Sequence, residues 1–210
     1  MLIKKGLSVF IVLAIILAFG LIACDPGGGD DEEDEYGPLV DGIRYKIGDT
    51  GHGGGIVFYI SHEGFNVEGY GPANYLEVAP EDQDDNGSFG TYGLGLSYSG
   101  TAIGTGKKNT AIIIAEDDST AAKACVAYST AYTNPGDWFL PSKDELNELY
   151  KFYVEVTNGK YPGLNPGFAE AYWTSSEYDN NDAWCHHFVI NDQFEFPKDN
   201  FGNVRAIRAF

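Results

Sequence analysis

The strongest candidate for ligand chemistry in this sequence is the stretch from Glu177 to Trp184. Glu177, Asp179, Asn180, Asn181 and Asp182 crowd oxygen donors between two apolar runs. Hard cations such as calcium take six to eight oxygens of this kind. Trp184 adds a flat apolar face able to stack on a sugar ring. The same residues equally suit a polar hairpin loop, in which Asn and Asp serve turn geometry. A second acidic run, Asp82-Gln83-Asp84-Asp85-Asn86-Gly87, matches the opening of an EF-hand loop and makes Asp82, Asp84 and Asn86 a weaker calcium set. The bidentate acid that closes such a loop would fall on Gly93, so a solvated acidic turn is the simpler reading.

Other motifs fail on inspection. Gly104-Thr105-Gly106-Lys107 has the flavour of a phosphate-binding loop. However, the leading glycine is one residue out of place, and Lys108 stands where a Ser or Thr should hold magnesium. The glycines read better as a tight entry into a helix. Gly95-Leu96-Ser97-Tyr98-Ser99 misses the last position of a nucleophile elbow. His186 and His187 are adjacent on an expected strand, so one is packed and the other exposed. Cys125 and Cys185 leave two readings open. They form a bridge closing a loop of about 60 residues, stabilising by roughly 3–4 kcal/mol, or they are two buried free thiols.

These groups need elements to position them. Ile56-Val57-Phe58-Tyr59-Ile60 is rich in strand formers, and Tyr75 to Ala79 alternates before Pro80. Residues 81–105, full of Gly, Asp and Ser, read as one long surface loop. Asn109-Thr110 is expected to cap a helix running through Ile114, and Ser119 one from Thr120 to about Tyr128. Asn134-Pro135-Gly136-Asp137 breaks that helix. Ser142 and Glu145 then form a capping box, in which each side chain satisfies the other's backbone N–H. Leu146, Leu149, Tyr150 and Tyr153 share one face of the helix that follows. Strands are expected at Ala171–Ser175, Trp184–Ile190, Phe194–Phe196 and Asn203–Phe210. In the last of these, Val204, Ala206 and Arg208 oppose Arg205, Ile207 and Ala209. The class is α+β, with short, mostly antiparallel strands and two or three helices.

The N-terminus supplies an address. Lys4 and Lys5 precede an uncharged apolar run from Leu7 to Phe19, too short to read as a spanning helix. Leu21-Ile22-Ala23-Cys24 resembles the lipobox of bacterial lipoproteins, which implies cleavage before Cys24 and acylation of its thiol with palmitate-type chains. Two or more chains make such anchoring stable. The expected organisation is a signal peptide at 1–23, an acidic tether at 24–41 and one domain at 42–210. Localisation follows as the bacterial cell envelope, at the outer membrane or cell surface. The mature chain keeps 11 basic against 31 acidic residues, and the domain alone 11 against 23, a formal charge of −12. Such a surface repels nucleic acid and anionic headgroups, and leaves cations, basic partners or neutral ligands.

The ordered set of motifs resembles one family. Gly54-Gly55-Ile56-Val57-Phe58-Tyr59, Ala102-Ile103-Gly104-Thr105-Gly106-Lys107, Trp138-Phe139-Leu140-Pro141-Ser142, Tyr172-Trp173-Thr174-Ser175-Ser176-Glu177, Ala183-Trp184 and Val204-Arg205-Ala206-Ile207-Arg208 follow one another as in the Lcl C-terminal domain family, over residues 48–210. The family takes its name from a collagen-like bacterial adhesin. The resemblance implies a C-type-lectin-like fold in which the first and last strands pair, helices flank the sheet, and long loops form the ligand face. It also implies a non-enzymatic, adhesin-like module that binds an extracellular glycan or protein, with calcium as the one candidate cofactor. The naming adhesin binds sulfated glycosaminoglycans through a basic surface, which a domain at −12 does not offer. A structural envelope lipoprotein without a specific ligand is the competing class. Formylglycine-generating enzymes share the fold and use a cysteine pair, but nothing around Cys125 or Cys185 resembles their site.

Overall fold

The computed structural model describes residues 35–210. The expected signal peptide, Cys24 and the tether up to residue 34 lie outside these residues. Eleven elements follow in order: β1 (Ile56–Val67), β2 (Gly71–Val78), β3 (Asp84–Ser88), α1 (Gly106–Glu116), α2 (Thr120–Ala127), α3 (Lys143–Thr157), β4 (Ala171–Glu177), β5 (Asp182–His187), β6 (Asp192–Pro197), β7 (Phe201–Val204) and β8 (Ile207–Ala209). Among the described residues the class is α+β, with three helices and two mostly antiparallel sheets. One sheet has the order β1-β2-β8 and the other β3-β7-β4-β5-β6. Among the described residues no helix is long and apolar enough to cross a membrane.

The first and last strands do not pair directly, contrary to expectation. They share a sheet, but β2 lies between them, pairing with β1 along Ile56–Val67 and with β8 from Leu76 to Val78. The expected final strand is also broken in two. β7 pairs with β3 and makes a parallel contact with β4 through Tyr172 and Asn203, whereas β8 belongs to the other sheet. Arg205 and Ala206 make the crossing. Because this segment is covered on both sides, Val204, Arg205, Ala206 and Ile207 are all buried and the alternation fails. Arg205 is held by Asp82 at 2.5 Å and donates to the carbonyls of Ala79 and Pro166. The expected loop over 81–105 contains β3. The strand expected to reach Ile190 stops at His187, because Phe188–Asn191 turn the chain into β6, with Asn191 at a positive φ of 52°. Contacts begin ahead of residue 42: Gly37 is buried, its N–H donates to Tyr45 at 2.9 Å, and the Tyr75 hydroxyl donates to the Pro38 carbonyl.

Two large apolar clusters form the interior. One gathers Phe89, Ile113, Cys125, Trp138, Leu140, Trp173 and Val204; the other gathers Phe58, Leu76, Phe139, Leu149, Phe152, Tyr172 and Phe188. Trp138-Phe139-Leu140 runs between them, sending alternate side chains into each, as extended backbone must. Phe139 also exchanges two backbone hydrogen bonds with Ile207, at 2.9 and 3.0 Å, which fixes the segment to β8. Cys125 and Cys185 are free, buried thiols of the first cluster, so the bridge left open by the sequence is not formed.

The helix starts show what local sequence can specify. Ser119 caps α2 by accepting from Ala122 N at 3.0 Å. Ser142 and Glu145 make the full capping box of α3, which buries Leu146, Leu149 and Phe152. α1 behaves differently from expectation. It begins at Gly106, and Asn109 is buried inside it, clasping Gly100 through both ends of its amide. The capping of α1 comes from Glu145, fully buried, whose carboxylate accepts from Ser142 N at 2.7 Å and Gly104 N at 2.8 Å and reaches Gly106. A Cβ on Gly106 would sit 2.1 Å from Glu145 Oε2, so only glycine fits. The carboxylate thus fills the place an incoming phosphate would take at Gly104-Thr105-Gly106-Lys107.

Burial pushes the Glu145 carboxyl up to about 7, against the pull of those backbone N–H donors. A raised carboxyl favours the folded state while protonated. Its contribution is full below the ordinary glutamate range and is lost as pH rises through about 7. The stability advantage of the wild type over Glu145→Gln should therefore shrink by about 2–3 kcal/mol between pH 5 and pH 8. Urea unfolding at both pH values tests this, and an advantage that grows with pH would refute it. Burial also pushes both cysteine thiols up. Neither should react with a thiol reagent in the native protein, and both should react once it is denatured; a native mass lower by two hydrogens would contradict the free-thiol assignment.

Candidate functional site

The residues from Glu177 to Trp184 occupy the end of β4, a tight turn and the start of β5. Their carboxylates do not converge. Glu177 turns inward: it accepts from Leu96 N at 3.0 Å and is ion-paired with Lys198, whose side chain is fully buried. Lys198 also donates to the Leu94 carbonyl at 2.7 Å. Its backbone accepts from Gly90 and donates to Asn181 O, both at 3.0 Å. One buried ammonium therefore fastens the chain near 90–96 to the β4–β5 hairpin. Gly93 N adds a further tie to Asn180 O at 3.0 Å, and Ser99 Oγ accepts from Glu177 N at 2.6 Å.

Asp179 serves the turn. Its Oδ1 accepts from Asn181 N at 2.7 Å and Asp182 N at 2.9 Å, and these donors hold its carboxyl below the usual range. This is the Asx geometry the turn reading required. Trp184 is half-buried and already partnered. Lys143 Nζ lies 3.1 Å from the ring centroid, and Tyr178 packs edge-on at 5.1 Å. A sugar cannot take the face Lys143 covers. Among the described residues there is no group of three or more His, Cys, Asp or Glu side chains placed to hold a metal ion.

The weaker acidic set is likewise spoken for. Asp82 holds Arg205, and Asp84 Oδ1 accepts from Asn86 N at 2.9 Å within β3. Ser97 of the near-elbow donates to Glu116. His186 is buried against Tyr150, its rings 4.8 Å apart, with Nε2 3.2 Å from Asn191 Oδ1; burial pulls its pKa down. His187 is half-buried.

The clamped loops instead expose apolar surface. Tyr92 is 56% exposed, Leu94 38% and Tyr178 51%, on two loops that the Gly93–Asn180 and Lys198–Glu177 contacts hold together. Asn180, exposed beside them, adds polar donors and acceptors. Tyr92 and Leu94 escaped the sequence reading because they lie in a stretch without hydrophobic periodicity. Lys198 gave no signal, since its partner is 21 positions away. In the sequence only the Asn- and Asp-rich stretch beside Trp184 marks the region.

Removing one partner of a buried pair leaves an uncompensated charge. Lys198→Ala should lower stability by about 3 kcal/mol and loosen the 90–99 loop, detectable as faster amide exchange at Leu96. Wild-type exchange and an unchanged melting temperature would show that the clamp does not hold this face. In comparisons with known proteins, no family model matches the chain and no curated protein matches it.

Proposed function

We propose that this protein is a lipid-anchored binding module of the bacterial cell envelope with a C-type-lectin-like fold. It takes a neutral carbohydrate on the face formed by the 91–99 loop and the β4–β5 hairpin. The observation that carries the reading is the presentation of two exposed tyrosine rings, Tyr92 and Tyr178, by loops that a buried ion pair holds rigid. Aromatic rings supply large contact area with few rotatable bonds, so little entropy is lost on binding. Asn180 and Asn181 offer the directional hydrogen bonds that hydroxyls need. The placement of the first and last strands in one sheet, with long loops leaving the other, supports the fold.

Calcium is an accessory to this reading, not its basis. Glu177 and Asp179 are engaged by Lys198 and by backbone donors, so stacking and hydrogen bonding carry recognition. The formal charge of −12 disfavours sulfated glycans. Exposed Leu94 gives a protein ligand as the second reading, because an aliphatic side chain suits an apolar partner better than a sugar. The burial of both cysteines, which pushes their thiols up, argues against a cysteine-pair enzyme. The lipobox supplies the anchor through Cys24, and the acidic tether keeps the head off the bilayer.

A glycan array run with and without calcium tests the recognition. Binding of a neutral glycan is expected in both conditions, weakened at least about tenfold by Tyr92→Ala or Tyr178→Ala while melting temperature is unchanged. An array blank in both conditions would leave the structural envelope role standing. In parallel, Cys24→Ser should move the protein from the membrane fraction to the soluble one.

A further inference from the structure

Two buried titratable groups bear on the same helix, α3, and they make opposite demands on a proton. Glu145 stands in its first turn. It is fully buried, and its carboxyl is met only by the backbone N–H groups of Ser142, Gly104 and Gly106 and by the Ser142 hydroxyl. Among the described residues no ion pair reaches it. Of the charged side chains on the elements around it, Lys143 lies over Trp184, Lys107 over Tyr70, and Lys108 is paired with Glu68, while Asp144 is exposed. Charging Glu145 in place therefore carries a desolvation cost that no cation offsets.

His186 meets α3 from the sheet side. It is fully buried on β5, with its ring 4.8 Å from that of Tyr150 and 5.3 Å from that of Phe188. Tyr150 lies little more than one turn along α3 from Glu145. His186 Nε2 is 3.2 Å from Oδ1 of Asn191, the turn residue with positive φ. With Nε2 donating there, the neutral ring leaves Nδ1 as a bare acceptor. That nitrogen is buried and has no partner among the described residues. A second proton would have to go onto it, creating a charged N–H donor with nothing to receive it. Lys143 on α3 and His187 on β5 oppose the added charge, Asp192 at the start of β6 favours it but is exposed, and Tyr172 stands opposite on β4.

We propose that the docking of α3 is a pH window: the helix is held while Glu145 keeps a proton and His186 lacks one, and it loses that hold when either condition fails. The two limits lie on opposite sides. Burial raises the Glu145 carboxyl to about 7, so its contribution is full below the ordinary glutamate range and is lost as pH rises through about 7. Burial lowers the His186 pKa from 6.5, so its contribution is full above that value and is lost as pH falls below it. The contributions overlap just below neutral pH. Either group alone would give a one-sided dependence; their placement against one helix closes it on both sides.

Urea unfolding of the whole protein from pH 5 to pH 8.5, with His186→Phe, Glu145→Gln and the double variant, tests the window. His186→Phe should flatten only the acid side of the wild-type profile, and Glu145→Gln only the alkaline side. The double variant should lose both slopes. Relative to His186→Phe, the wild-type unfolding equilibrium constant should rise at least about tenfold from pH 7.5 to pH 5. Should His186→Phe fail to fold, the ring titration of the wild type decides: the carbon-bound ring protons of His186, followed by NMR, should keep their neutral-form shifts from pH 8 down to pH 6. A ring half-charged at pH 6.5 in the folded protein, a pH-independent ratio, or both single variants acting on the same side would overturn the window.

Discussion

Loops that bury little apolar surface have to be held by something other than hydrophobic burial, and here the holding groups are three inward-turned glutamates, two of them fully buried. Glu77, fully buried on β2, accepts from Gly53 N at 2.8 Å and Gly55 N at 2.9 Å while pairing with Arg208. Glu145 gathers Ser142, Gly104 and Gly106. Glu177 takes Leu96 N and Lys198. A carboxylate withdrawn from water demands donors for its lone pairs, and glycine-rich backbone supplies N–H groups that can approach closely. Each carboxylate stands on a regular element, so the rigidity of strand or helix passes to the loop it grips. The long connections keep one shape, and any recognition on them inherits it.

This arrangement decides where negative charge is available. The residues that look like metal ligands in one dimension, Glu177, Asp179 and Asp82, each have a carboxylate oxygen engaged, by Lys198, by turn amides and by Arg205 respectively. Acidic residues are numerous, but the ones nearest the clamped loops act as internal fasteners. The surface they leave open is aromatic and amide-bearing, which suits uncharged partners.

Local rules were legible in the sequence and distant ones were not. The Ser119 cap and the Ser142–Glu145 box lie within a few residues of their partners, so spacing alone fixes them. The β1 and β2 cores are apolar runs with clear ends. By contrast, β3 is built from Asp, Asn, Gly and Ser, which have poor strand propensity, and it exists because β7 pairs with it. The break at Arg205–Ala206 was hidden because periodicity cannot show a chain changing sheets. Glu145 was read as serving one helix and in fact serves two; its second role depends on glycines about 40 positions away. In the candidate face, the Asx turn at Asp179 was visible, whereas Lys198, Tyr92 and Leu94 depend on contacts across the fold.

The Trp138-Phe139-Leu140 segment bears on how the molecule fails. It is a single extended strand of chain whose neighbouring side chains belong to different interiors. A disturbance that displaces Trp138 necessarily drags Phe139, and with it the bonds to Ile207. Coupled in this way, the two interiors are expected to open together, so that a protease would meet the folded domain either intact or wholly undone.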